Sequence, residues 1–174
     1  NYNYIRPALG FHPELIGKYH TLIPKMWELL PHVKYIGEVG LDYKIGNDFK
    51  TKQVTFFENL IEKCDNQGGK ILTIHSRRSA DDVISIIGSN FNSKYILHWY
   101  SGSIKTLKKA VENGAYFSVN YSMTKSDSGK KIIAQIPMDR LLLESDGPFI
   151  KFNKDVFTPL LNKHTVVILS KALN

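Results

Sequence analysis

Six short apolar runs, each followed by a stretch of helical period, divide this chain, and that alternation constrains its fold more than any other feature. The runs are 4–11 (YIRPALGF), 33–43 (VKYIGEVGLDY), 70–76 (KILTIHS), 94–101 (KYILHWYS), 115–122 (AYFSVNYS) and 140–146 (RLLLESD). Helices are predicted over 13–30, 48–67, 79–89, 103–114, 129–136 and 155–174. The clearest is 48–67, where Val54, Phe57, Leu60, Ile61 and Cys64 recur every three to four residues and Gly68-Gly69 stop the helix. Ser79 reads as an N-cap with Asp82 at the capping-box position, and Ser103 caps a helix that Gly114 ends. Near-continuous apolar strands alternating with helices imply an α/β fold built on a parallel sheet that helices cover, with Leu141, Leu142 and Leu143 in a buried strand. Both an open doubly wound sheet and a (β/α)8 barrel meet this description, the barrel with two of its eight strands lacking. The chain starts inside its first run without an initiating methionine, which suits a protein with a longer front end.

With 174 residues, 43% of them hydrophobic, the chain builds one sizeable core and reads as a single domain, 1–174. No apolar run approaches the roughly 20 residues that cross a bilayer, so no membrane span is expected. One cysteine, Cys64, excludes an internal disulfide framework and lies on the apolar stripe of its helix. It suits a reducing compartment, so the expected location is the cytoplasm. The net charge of +7 comes mostly from lysine, in pairs such as Lys108-Lys109 and Lys130-Lys131. That charge describes either a solvated lysine-rich surface or one that seeks polyanions.

Chemistry-bearing residues collect where the strands end. His12 follows the first run, and Glu38 and Asp42 stand toward the end of the second, His75 of the third, His98 of the fourth, and Glu144 and Asp146 of the last. In parallel α/β folds these ends share one face, where loops build sites. Imidazoles and carboxylates converging there are what a divalent-metal hydrolase needs. Taken singly, each has a plainer reading: a hydrogen-bonded histidine, a strand ending in water, a turn-forming Asp before Gly147-Pro148. Trp99 and Tyr100 either stack on a base or sugar or pack at the rim. Arg77 and Arg78 either contact phosphate or form a surface pair at a helix start. No Ser-His-Asp spacing, CxxC or P-loop pattern occurs.

The stretches ALGFHP (8–13), GEVGLDY (37–43), ILTIHSRR (71–78), ILHWYSGS (96–103), YFSVNYS (116–122) and DRLLLESDGPF (139–149) together resemble the TatD family of metal-dependent deoxyribonucleases, in the family's order and over roughly 1–149. The details GFHPEL, GGKILTIHSRR, HWYSGS and ESDGPF are most similar to QatD, the branch found in the Qat antiphage defence system. The resemblance implies a TIM-type (β/α)8 barrel of the amidohydrolase kind with two divalent ions (Mg, Mn or Zn), of which this chain represents the C-terminal three quarters. It implies that Glu38 bridges the ions, His75 and His98 bind one, and Asp146 binds the other and serves as a base. It places His12 near the site, with Arg77, Trp99 and Tyr100 as further substrate-binding candidates. The H-x-H pair of the family's first strand does not occur in these 174 residues, and the first two barrel strands have no counterpart. The function so implied is hydrolysis of DNA phosphodiesters in antiphage defence, with DNA and other defence subunits as partners. Its rivals are a metal-dependent amidohydrolase acting on a non-DNA substrate, or a degenerate subunit of a defence complex.

Overall fold

The computed structural model describes residues 5–44 and 49–172. Position 4 of the first run, position 48 of the predicted 48–67 helix and positions 173–174 lie outside the described residues.

The sheet is parallel, as the alternation predicts. Its strands are β1 (Tyr35–Asp42), β2 (Ile71–Arg77), β3 (Lys94–His98), β4 (Tyr116–Val119) and β5 (Leu141–Leu143), hydrogen-bonded in that order. The crossovers are α3 (Lys50–Gln67), α4 (Ala80–Ile87), α5 (Ile104–Glu112) and α6 (Asp127–Ile133), which follow α1 (Ile16–Tyr19) and α2 (Ile23–Leu29). A short hairpin, β6 (Lys151–Phe152) and β7 (Asp155–Val156), leads to α7 (Asn162–Ala172). Among the described residues the sheet is open: no strand joins β1 to β5.

One face of the sheet is dry. Leu72 and Ile74 of β2 and Tyr95 and Leu97 of β3 are buried under the apolar faces of α3, α4 and α5, where Phe57, Leu60, Cys64, Val83, Ile84 and Leu107 meet them. The alternate residues, Thr73 and His75 or Ile96 and His98, are only half-buried on the other face. The strands therefore carry one covered face and one partly open face, and the open face is the one that carries the histidines.

Several elements differ from the sequence expectation, for local reasons. Among the described residues of run 4–11 only Leu9 pairs, in a single parallel bridge to Ile36, because Pro7 has no amide hydrogen to extend the ladder. The predicted helix 13–30 is broken into α1, α2 and three 3-10 turns, with Pro24 in the first turn of α2 and Pro31 in the turn after it. Ser79 is not a side-chain cap; its hydroxyl donates to the Leu41 carbonyl, and Asp82 accepts from the Tyr43 hydroxyl. Ser103 does cap α5, accepting from Thr106 N at 3.1 Å. Helix α6 starts two residues before the predicted 129–136, because Ser126 caps it by accepting from Gly129 N. The predicted helix 155–174 is shortened to α7, since residues 151–156 form the hairpin and Asn153 and Lys154 take the left-handed conformations of its two-residue turn. Leu142 and Leu143, expected in a buried strand, are 39% and 38% exposed because β5 is paired on one side only.

The β1–β2 pairing is the longest in the sheet, and its register shifts between Ile36 and Val39. Such a bulge re-aims a side chain, here Glu38. Two residues on, Gly40 has φ +133°, and a Cβ there would lie 2.1 Å from the His75 carbonyl oxygen. Gly40→Ala should therefore cost about 1–3 kcal/mol or prevent folding. Urea unfolding of the variant beside the parent chain measures this, and an unchanged midpoint would contradict the pairing described.

Candidate metal centre at the strand ends

The bulge in β1 turns the Glu38 carboxylate toward a ring of imidazoles. Its Oε1 lies 2.7 Å from His75 Nδ1, 3.6 Å from His12 Nε2 and 3.7 Å from His98 Nε2. His98 Nε2 is in turn 3.4 Å from Asp146 Oδ1. Four separate segments thus bring Glu38, His75, His98 and Asp146 to one point, at the floor of a cleft of about 350 Å3. His12, Glu14, Arg77, Trp99 and Phe149 stand around it.

Each candidate histidine has one nitrogen turned to this point and the other held by a carboxylate. His75 Nε2 is 2.9 Å from Asp42 Oδ2, and His98 Nδ1 is 2.5 Å from Glu144 Oε2. Such outer contacts fix ring orientation and tautomer in metal sites. Asp42 has no exposed side-chain surface. Its charge is met by Arg77, whose Nε donates to Oδ2 at 2.8 Å, and by the Lys44 amide at 2.8 Å. Gln53, buried on α3, pins the Asp42 backbone by accepting from its N–H and donating to its carbonyl.

The charges shape each other. Burial pushes Glu38 up, but hydrogen bonds from His12 and His75 and the charge of His98 hold it well below its ordinary value. Burial likewise opposes Asp42, and Arg77, the Lys44 amide and His75 outweigh it, so its carboxyl is also lowered. Burial alone would lower His98; its hydrogen bond and charge interaction with Glu144, then the charges of Glu38 and Asp146, push it up to about 9. Asp146 is raised, by burial first and by Glu144 and Glu38, against the pull of His98. A carboxylate facing three imidazoles, with a second carboxylate beside one of them, is a donor set that fits a divalent cation.

His12 is a different case. Glu38, His75 and His12 each offer one donor atom, all within 4.8 Å of one another. However, the Glu14 amide donates to His12 Nδ1 at 3.3 Å. In a neutral imidazole that puts the proton on Nε2. His12 therefore faces Glu38 as a hydrogen-bond donor rather than as a third ligand.

The structure separates the other sequence candidates. Trp99 lines the cleft and is 37% exposed. Tyr100 does not reach it: the ring is buried against Phe117 and its hydroxyl donates to the Ser103 carbonyl. Arg77 borders the cleft, but its guanidinium is committed to Asp42 and, at 3.1 Å, to Glu14. Sequence reasoning missed the supporting roles of Asp42, Gln53, Ser118, Asn120 and Glu144. The spacing of two between Ser118 and Asn120 in YFSVNYS was a legible sign that both face one side; nothing local marks Gln53 as buried.

The family described as TatD related DNase matches residues 1–173. The metal-dependent hydrolase YabD of Bacillus subtilis, itself described as uncharacterized, is 31% identical over 156 residues, which cover 86% of this chain and 61% of YabD. Deoxyribonuclease Tat-D of Schizosaccharomyces pombe is 29% identical over 117 residues, covering 65% of this chain and 37% of that protein. The chain thus spans only part of the length of these relatives. The crystal structure of the TatD homologue YJJV from Escherichia coli superposes with a TM-score of 0.84 at 23% identity, over 99% of this chain and 70% of that one. The fold is accordingly of the TIM-barrel type, with the barrel not closed.

The shifted groups give the metal-free chain a stability limit at each end of the pH scale. Glu38 and Asp42 have folded values below their ordinary 4.5 and 3.8, so their contribution is full above that range and is lost as pH falls through it and below. Asp146, raised, works the other way: its ionised form costs stability, and acid relieves that cost. The folded value of His98 is above 6.5, so its contribution is full below pH 6.5 and is lost as pH rises toward 9. Urea midpoints of chelator-treated protein from pH 3 to 10 should show both limbs, and His98→Gln should flatten the alkaline one.

Proposed function

Because this chain belongs to the TatD-related DNase family, we propose that it forms the catalytic face of a divalent-metal-dependent deoxyribonuclease. The observation that carries this reading is the meeting of Glu38 Oε1 with imidazole nitrogens from three separate segments, and of Asp146 with one of them, in a single cleft. Glu38, His75, His98 and Asp146 would hold the metal, with Glu38 shared between two ions. When bound, divalent ions neutralise charge on the phosphoryl oxygens and acidify the attacking water.

The chain's own residues supply the remaining roles. Asp146, beside His98 in the cleft and partly buried, accepts the proton of the attacking water. His12, with its proton on Nε2, donates to Glu38 or to a phosphoryl oxygen. Trp99 and Phe149, the latter 81% exposed, offer ring faces to unpaired bases at the mouth of the cleft. Arg77 holds Asp42 in place, so the backbone contact falls to its exposed neighbour Arg78, which among the described residues makes no ion pair. The net charge of +7 supports binding to a polyanion without sequence preference. The closer likeness of GFHPEL, GGKILTIHSRR, HWYSGS and ESDGPF to QatD supports a place in antiphage defence, beside other subunits of that system.

The test is hydrolysis of single-stranded DNA with Mg2+, Mn2+ or Zn2+. Glu38→Ala and Asp146→Ala should each lower kcat at least about a hundredfold, the scale of losing a group that stabilises transition-state charge. Arg78→Ala should weaken DNA binding evenly across sequences and reduce the salt slope by about one. Full activity in the Glu38 and Asp146 variants would refute the assignment. Turnover of a small amide or nucleoside with none of DNA would move the substrate away from nucleic acid.

A further inference from the structure

One carboxylate beside the cleft has no part in the scheme above. Glu144 does not line the cavity, and its side chain is 12% exposed. It nonetheless accepts hydrogen bonds from three residues on two other strands or their ends. Oε2 takes His98 Nδ1 and the Ser118 hydroxyl; Oε1 takes Asn120 Nδ2 at 2.8 Å. We propose that Glu144 is the positioning residue of the metal centre, that it fixes His98 with the proton on Nδ1 and the lone pair of Nε2 in the cleft, and that β4 serves the site by holding Glu144.

The orientation of each partner is determined. Asn120 accepts the Met123 amide on Oδ1 at 3.0 Å, so its NH2 group must face Glu144. Ser118 pairs with His98 in the β3–β4 register, which puts its hydroxyl beside the same carboxylate. A carboxylate so supplied with donors leaves His98 Nδ1 no role but donor. The neutral ring then has its free lone pair on Nε2, the nitrogen that faces Asp146 and Glu38. Ser118 and Asn120 are 6% and 0% exposed, so water does not compete for these contacts. Strand β4 contributes no candidate ligand of its own, and this gives a physical reason for the buried polar Ser118 within it and Asn120 just past its end.

The inference rests on His98 being a ligand, and the experiment separates the two claims. Zn2+ alone is titrated into the full chain against a chromophoric chelator, for the parent, His98→Ala, Glu144→Gln, Ser118→Ala and Asn120→Ala. The parent should bind Zn2+, His98→Ala should lose that binding, and Glu144→Gln should bind 10- to 100-fold more weakly. Ser118→Ala and Asn120→Ala, which loosen Glu144 without touching His98, should each weaken binding several-fold. In the Zn2+-loaded parent, long-range 1H–15N spectra should show His98 with a slowly exchanging Nδ1 proton, and Glu144→Gln should speed that exchange. Loss of binding in His98→Ala with parent-like affinity in the other three variants would overturn the role of Glu144 and leave the metal reading standing. Equal binding by the parent and His98→Ala would overturn both. If Glu144→Gln fails to fold, unchanged affinity in both β4 variants is sufficient to reject the proposal.

Discussion

A carboxylate with no exposed surface must be compensated, and the compensation of Asp42 organises the whole cleft. Its ionised side chain would be strongly destabilising if left unpaired in the interior. Arg77 from β2 supplies the opposing charge, the Lys44 amide supplies a second donor, and His75 closes the cluster from within the cleft. Gln53 then fastens the Asp42 backbone to α3. The end of β1, the end of β2 and the first crossover helix are thus joined by one buried charge. Because His75 is one of its partners, the orientation of that ring toward Glu38 follows from the same requirement.

The parallel sheet extends this order to the other residues. In-register pairing sets Gly40 opposite His75 and His98 opposite Ser118, so the polar rows stand at matching heights on neighbouring strands. Packing beneath the sheet keeps them there, since Leu72, Ile74, Tyr95 and Leu97 alternate with the site residues along the same strands and are fully buried. A one-residue slip of β2 or β3 would send its histidine into the apolar layer. The close approach at Gly40 and the bulge at Glu38 are the two places where this regularity is broken, and both re-aim groups at the cleft.

What was legible in the sequence follows from this division of labour. The parallel sheet and the gathering of Glu38, His75, His98 and Asp146 on one face of it could be read because alternating apolar runs fix which end of each strand carries polar residues. Cys64 in the core and Ser103 as a cap follow equally local rules. Misreadings arose where a distant partner decides. Ser79 has the identity of a cap but is drawn to the Leu41 carbonyl. Tyr100 follows His98 by two positions, yet the turn after β3, where Trp99 takes a positive φ of 38°, sends its ring into the core. Leu142 and Leu143 look buried by composition and are exposed because their strand has a neighbour on one side only.

The distribution of charge gives the site its character. The protein as a whole is strongly basic, yet Glu14, Glu38, Asp42, Glu144 and Asp146 gather around one cleft with Arg77 as their principal fixed cation. The imidazoles meet part of the imbalance: His98 is pushed toward the protonated state by the acids around it. On the proposed function, protons and divalent cations would compete for this cluster of carboxylates and imidazoles, while the lysine-rich surface outside it would attract the polyanion. A phosphodiester chain, the substrate of that proposed function, would be repelled by the bare carboxylates at the centre. On the nuclease function proposed above, neutralising that centre would be the electrostatic condition for bringing a phosphate to Glu38 and Asp146, and cation binding and substrate binding would be coupled by charge before any chemistry.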